Sequence, residues 1–541
     1  METRLCHRAE TGAYQRAIDM SSVLIQAAVA MGFVVCFQPA PCDILALLAF
    51  VAGLPVLGRS ITGLPRIVAV SLLVFISINA VGLISAVSVK SGIRFFGMTA
   101  YLVAFSILVF GLTSENDGFR QQLVKAYMIA SLVTATLIWA GFLGNILNLP
   151  ALSRMTFADR PMGLFKDPNV AGSFLIPAAL FLSGRALDKG RAESLGFWAV
   201  LFFIVSAIFH TSSRSAVLSW GLGLLVATVL SGTSLRRKIA HLVAIACIVL
   251  VVLPVMYTST GDNITISLSA RVLPHTGFVK SVVYGVERYM ADIAGRLGIE
   301  IPFAVGRPSL QSGMGPFAAG LYEYDTGGRL YAWQAALELW KSHPVIGVGP
   351  GNFEILSPGI QERLGASFVT PSAHNTYLRV LAENGIFGLV SLVIPLIFAV
   401  VAVAKAGSPT VGRACGETVR SADTRTVVGG VLCNTACMVD NGTMGGTCDN
   451  TMGNVGGTAR QGTEKVGKAG TKTAGKTSDG AVSTAGGKNN ALRLTGDRLW
   501  LTASLIALIA NGLFIDSLHF RHLWLLWALA LREVRAIERG I

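Results

Sequence analysis

Long apolar runs alternate with short polar connections along this chain, and the alternation predicts membrane-spanning helices. Nine runs come first, at about 21–37, 42–58, 66–88, 94–112, 121–146, 170–187, 195–210, 214–231 and 238–257, each at or near the roughly 20 residues that cross a bilayer as helix. Three more follow at about 384–404, 498–514 and 519–533. The expected fold is an all-α polytopic membrane protein with about twelve transmembrane helices and a large, partly helical periplasmic loop. Arg4, Arg8 and Arg16 precede the first run in the order of an uncleaved signal anchor, which sets the N-terminus inside.

Two long segments interrupt the runs and divide the chain. Residues 1–257 form an N-terminal membrane region of about nine spans; 258–372 is the periplasmic loop; 373–404 is a motif helix and span; 405–497 is a second loop; 498–541 holds the last spans and a tail. Within 327–353, Arg329, Trp333, Ala336 and Trp340 share a helical face that Pro344 ends, and two tryptophans on one face suit a helix along the membrane interface. The turn Gly347–Gly351, GVGPG, is no phosphate loop, since no GK[ST] follows it. It reads as a tight turn. Residues 405–497 are rich in Gly, Thr, Ala, Lys and Asn, a composition that cannot bury a core, so a disordered cytoplasmic loop is expected there.

Composition makes the bilayer the solvent: 52% of residues are hydrophobic and 14% charged, with mean hydropathy +0.60. A net charge of +14 would suggest nucleic acid in a soluble chain. Here the cations gather between apolar runs, at Arg59 and Arg66, Arg120 and Lys125, Arg185, Lys189 and Arg191, Arg236 to Lys238, and Arg532, Arg535 and Arg539. They read as positive-inside topology signals, with membrane lipids and no nucleic acid as partners. Segment 258–372 then falls outside. The eight cysteines specify no disulfide framework, Cys433, Cys437 and Cys448 only loosely imitate a metal site, and Glu323 with Asp325 is one weak acidic pair. No metal or cofactor is expected.

Polar clusters on the outer face carry the candidate chemistry. The loop DRPMGLFKDPN supplies Arg160, Lys166, Asp167 and Asn169; HTSSRSA supplies Arg214; the helix described above supplies Arg329; and AHNTYLRVLAENGIFGL, 373–389, supplies His374, Asn375, Tyr377, Arg379 and Glu383. From a helix start at Pro371 and Ser372, His374, Tyr377, Leu378 and Leu381 would share one face and Asn375, Arg379 and Glu383 the adjacent stripe. Arg379 and Glu383 can pair along it, and a helix start near His374 and Asn375 favours an anion such as pyrophosphate. Each cluster alone is equally well an interfacial anchor, because arginines snorkel at helix ends.

In order and spacing, GLFKDPN, SSRSA, the G-R-x-x-x-W helix ending in HPVIGVGPGNF, HNTYLRVLAENGIFGL and the closing FIDSLHFRHLWLLWALAL resemble the O-antigen ligase and polymerase superfamily of bacterial envelope polysaccharide assembly. The resemblance departs at 405–497, where the family has a short loop. It implies a metal-independent glycosyltransferase of the bacterial inner membrane, working on the periplasmic face. The donor would be an undecaprenyl-pyrophosphate-linked glycan and the acceptor a hydroxyl of lipid A-core, or of a growing glycan if the enzyme is a polymerase. His374 would be the general base, with Arg214 and Arg329 catalytic cations for the pyrophosphate. Arg160, Lys166, Asn169, Asn375, Tyr377, Arg379 and Glu383 would bind substrate. The reading from another class is a transporter or flippase, which about twelve spans also suit; it expects related halves, whereas here the long loops follow the ninth and tenth runs.

Overall fold

Helices stand at every apolar run. The computed structural model describes residues 2–37, 39–157, 160–188, 191–258, 328–366, 369–405 and 496–538. The expectations for 405–497, including its disorder, and for Glu323 and Asp325 lie outside these residues, apart from Lys405 and the last two positions of the loop.

The described helices are α1 (Glu2–Ala30), α2 (Pro41–Ala52), α3 (Leu54–Thr62), α4 (Arg66–Val81), α5 (Val89–Glu115), α6 (Asp117–Ile146), the single turn α7 (Pro150–Ser153), α8 (Pro168–Asp188), α9 (Arg191–His210), α10 (Arg214–Leu230) and α11 (Leu235–Thr258). After the undescribed stretch come α12 (Gly328–Ser342), α13 (Phe353–Arg363), α14 (Thr376–Lys405), α15 (Gly496–Asn511) and α16 (Arg521–Glu538). The sheet structure described is a two-stranded hairpin, β1 (Thr156–Phe157) and β2 (Arg160–Pro161), antiparallel with Thr156 opposite Pro161.

By length and apolar composition, three described helices can cross a membrane: Val89–Glu115, Gly118–Ile146 and Thr376–Ala404. A fourth span results if α2 and α3, which meet at 79°, are one broken crossing. Gly53 makes that break by close approach: a Cβ there would lie 2.7 Å from Leu108 Cδ1 and 2.9 Å from Ser21 Oγ, so α1 and α5 both press on the bend.

Polar bridges fix how the core helices meet. Ser173 of α8 donates to Asn511 Oδ1 at 3.0 Å, and Asn511 Nδ2 donates to Ser219 of α10 at 3.2 Å, so one asparagine at the end of α15 joins three helices. Trp527 Nε1 of α16 reaches the carbonyl of Pro395 in α14 at 2.9 Å, and Tyr127 of α6 donates to the Phe174 carbonyl in α8 at 2.6 Å. In an apolar core such pairs set register, because an unmatched polar atom there costs about 1–3 kcal/mol.

The motif helix α14 is broken near its start. Gly385 has φ 65° and ψ −168°, a region essentially reserved for glycine, and the backbone groups freed by the break are taken up by the segment after α12. Val348 N donates to Ala382 O at 3.0 Å, Gly349 N to Glu383 O at 2.9 Å, and Ile386 N to Pro344 O at 2.9 Å. The GVGPG turn is therefore a plug that completes a broken helix. It needs its glycines for that: a Cβ on Gly347 would lie 2.3 Å from the Glu383 carbonyl carbon, at φ +71°.

Candidate functional site

His374 lies before α14, in a left-handed backbone conformation with φ 47°. This corrects the expected helix start at Ala373, and the cause is Asn375. Its Oδ1 accepts from Tyr377 N and Leu378 N, each at 3.0 Å, which makes it the residue that caps the helix and leaves His374 outside the spiral. The shared face of His374, Tyr377, Leu378 and Leu381 consequently does not include His374.

A left-handed non-glycine residue persists only where its surroundings hold it. Trp333 Nε1 of α12 donates to the Ala373 carbonyl at 2.9 Å. Buried Gln361 of α13 clamps Thr370 from both sides, accepting from its N at 3.0 Å and donating to its O at 2.7 Å. On the other flank, Asn375 Nδ2 donates to Leu513 O at 3.1 Å, Thr376 N to Gly512 O at 2.8 Å, and Thr376 Oγ1 bonds Ile515 O and Ser517 Oγ, each at 3.0 Å. Tyr377 reaches the Ile509 carbonyl at 2.6 Å. Asn375 and Tyr377, expected to bind substrate, use these groups to seat the turn on the end of α15 and the connection that follows it. Trp333 faces that turn, so the indole on this face of α12 serves to hold the turn.

The environment of His374 suits a neutral imidazole. Burial, then the Arg329 cation, hold its pKa down to about 4, against the opposing pull of Asp167 and Asp516. Its Nε2 lies 3.4 Å from Thr370 Oγ1. Arg329, half-buried at the start of α12, places Nη1 3.4 Å from the Phe514 carbonyl. Burial lowers its pKa and Asp167 raises it; a guanidinium stays charged regardless. His374, Arg329 and Asp167 therefore share one electrostatic neighbourhood, though they come from three parts of the sequence.

Arg160 joins the first two polar clusters. Its Nε donates to Thr211 O at 3.1 Å, and its Nη2 to Asn169 Oδ1 at 2.9 Å and Ser212 O at 3.3 Å. It grips the turn between α9 and α10, where Ser212 is also left-handed at φ 51°. Arg214 opens α10 immediately after this turn, with Ser213 as the cap accepting from Ala216 N at 3.3 Å. Asn169 N bonds Asp167 Oδ1 at 2.6 Å, shaping the loop, and Lys166 is exposed.

Arg379 and Glu383 form a second centre. They pair along the helix at 3.2 Å, and Arg379 also contacts Glu354 at 3.2 Å and Asp516, with its guanidinium 4.4 Å above the Phe95 ring. Glu383 Oε1 accepts from Phe353 N at 3.2 Å, capping α13. Arg379 and Glu383 are each 4% exposed, so they lock α13, α14 and the α15–α16 connection together. Asp516, absent from the sequence-based candidates, is the acid of that connection. Burial pushes its pKa up, but Arg379 and the other positive contacts outweigh it and leave the carboxyl below its ordinary value. The signal that marks it is an acidic residue in an otherwise apolar stretch.

The fold and these centres define an all-α protein of membrane type whose candidate reactive groups gather on the turns between helices. Residues 199–393 match the protein family described as O-antigen ligase, and this supports membership of the O-antigen ligase superfamily. The match also supports a function of the O-antigen ligase or polymerase type. The matched stretch contains Arg214, Arg329 and His374, and leaves Arg160 and Asp516 outside. No curated protein matches the chain.

Proposed function

We propose that the protein is an O-antigen ligase-type glycosyltransferase of the bacterial inner membrane. It moves a polysaccharide from an undecaprenyl-pyrophosphate carrier to a hydroxyl of lipid A-core or a similar acceptor on the periplasmic face, without a metal. This face follows from the count of about twelve spans read from the apolar runs and from the positive-inside pattern, and the helices at those runs support it. The observation that carries the reading is His374, kept neutral and fixed by both flanks in a left-handed turn within the field of Arg329.

The acceptor O–H gives its proton to His374, its oxygen forms the new bond to the anomeric carbon, and the carbon–phosphate oxygen bond breaks with its electron pair leaving on the pyrophosphate. Arg329 and Arg214 stabilise that charge, and the exposed Lys166 adds a cation at the rim. Arg160 and Asn169 hold the Arg214 turn in place. An imidazole with a pKa near 4 is a weak base, but the incoming pyrophosphate offsets the Arg329 field and raises its basicity on binding.

The test is transfer by purified protein in lipid, with a lipid-linked donor and lipid A-core. His374→Ala should lose on the order of 100 to 10,000-fold in rate without loss of protein, and near wild-type turnover would remove the base assignment. In a deletion strain, bare core with accumulating lipid-linked polymer marks a ligase, whereas core capped with one repeat unit marks a polymerase.

A further inference from the structure

The two ring nitrogens of His374 meet different surroundings. Nε2 faces the Thr370 hydroxyl at 3.4 Å. Among the described residues Nδ1 makes no hydrogen bond, and unlike both ring nitrogens of His210 and His241 it is not closed off from solvent. Thr370 itself is firmly set. It is 8% exposed, and the fully buried Gln361 accepts from its N–H at 3.0 Å and donates to its carbonyl at 2.7 Å. Gln361 Nε2 also reaches Ser357 Oγ within α13 at 3.2 Å. Because a branched Cβ leaves threonine few side-chain rotamers, α13 in effect aims the hydroxyl.

That hydroxyl has one hydrogen and two lone pairs to distribute. Its described neighbours are the Ser372 carbonyl, the Ser372 N–H and His374 Nε2, each at 3.4 Å. The carbonyl can only accept and the N–H can only donate. The hydrogen therefore goes to Ser372 O, which accepts no other bond among the described residues, one lone pair takes the Ser372 N–H, and the second faces the imidazole. A ring nitrogen satisfies that lone pair only if it carries hydrogen. The opposite arrangement would take the hydroxyl hydrogen from Ser372 O and use up the one lone pair of the imidazole on Thr370, leaving an N–H at the open nitrogen and no base.

We propose that Thr370 fixes His374 as the Nε2–H tautomer, so that Nδ1 is the atom that takes the acceptor's proton; this rests on the base reading above. Thr370 is a positioning residue. As the proton passes to the Nδ1 lone pair, the acceptor oxygen bonds to the anomeric carbon and the phosphate oxygen leaves with its electron pair. His374 then carries hydrogen on both nitrogens until Nδ1 gives its proton to water. Throughout, Nε2–H stays on Thr370, and that bond strengthens as the ring becomes charged.

The tautomer can be read by nitrogen-15 NMR of the full-length protein in lipid with labelled histidine, His374 being assigned by the signals lost in His374→Gln. Near neutral pH the wild type should show hydrogen on Nε2 and a bare Nδ1. Thr370→Val keeps the shape and removes the hydroxyl, so it should give mixed tautomers and lower kcat about 10- to 100-fold with KM little changed. Thr370→Ser should restore both, and Thr370→Ala serves where the valine variant does not fold. Hydrogen on Nδ1 in the wild type, or an unchanged tautomer once the hydroxyl is removed, overturns the proposal. A tautomer that depends on Thr370 in a protein whose His374→Ala variant still transfers would sink the base reading and keep the tautomer. Hydrogen on Nδ1 in a protein that needs His374 would do the reverse.

Discussion

Replacing Gly385 with alanine tests whether the broken motif helix is a built feature. The added Cβ would lie 2.2 Å from Val345 O, 2.3 Å from Val345 C and 2.7 Å from Ile346 N. All three are backbone atoms, so no side chain can swing aside. The conformation, φ 65° and ψ −168°, costs a non-glycine residue about 1–3 kcal/mol, and overpacking adds about 1–3 kcal/mol. The alternative is to lift the 344–349 segment away, which gives up the three bonds to Ala382, Glu383 and Ile386 at about 1 kcal/mol each. Either route costs about 2–6 kcal/mol, in a segment that leads straight to Phe353 and Glu354 of the Arg379 cluster. Gly385→Ala should therefore lower the thermal midpoint of the purified protein by several degrees and reduce transfer. Gly359→Ala is the control: nothing lies within 4 Å of its Cβ position, so it should be neutral or slightly stabilising. Equal midpoints for the two variants, with full activity, would refute the reasoning.

Three further outcomes follow from the same geometry. With His374 as the proposed neutral base and its free-enzyme pKa held to about 4, kcat/KM should stay level as pH falls through 6.5 and drop only near 4; an acid limb near 6.5 assigned to His374 would show that burial and Arg329 do not act on it as described. Arg379→Met leaves Glu383, Glu354 and Asp516 facing one another without their cation and should cost about 3–5 kcal/mol, read as lost thermal stability, with Asp516→Asn in the same chain recovering part of it; additive losses in the double variant would argue against one cluster. Arg160→Ala removes bonds to Thr211, Ser212 and Asn169 and should lower transfer by loosening the Arg214 turn, while Arg160→Lys, a point charge in place of a fork, should recover little; full recovery by lysine would mean that only charge matters there.

The apolar runs were legible because hydropathy over some twenty residues is a local property, and α1, α4 to α6, α8 to α11 and α14 to α16 all stand where it pointed. The pairing of Arg379 with Glu383 was legible for the same reason, as a spacing of four on one helix. What the sequence hid was long-range. Asn375 was legible as a residue at a helix start, but its bond to Leu513 was not. Thr376 finds Ile515 and Ser517 across a separation of about 140 residues, beyond the reach of any periodicity. The GVGPG turn announced glycine's freedom but not its use, because the carbonyls it satisfies belong to a helix break that no proline marks. Gly385 within an apolar run was the available sign.

These hidden contacts explain why a left-handed histidine and a broken helix stand on either side of Arg379. Both conformations are unfavourable locally, and each is stabilised by a separate part of the chain: the break by the segment after α12, and the His374 turn by Trp333 and by the α15–α16 connection. Arg379 contacts a carboxylate from each of these parts, Glu354 just beyond the GVGPG turn and Asp516 in the connection. A one-cation cluster gains its full Coulomb energy only when both parts are docked, since either missing carboxylate leaves Arg379 buried with fewer partners. The cluster therefore couples the two strained conformations, and the His374 turn is fully formed only once the last two helices have packed against α14.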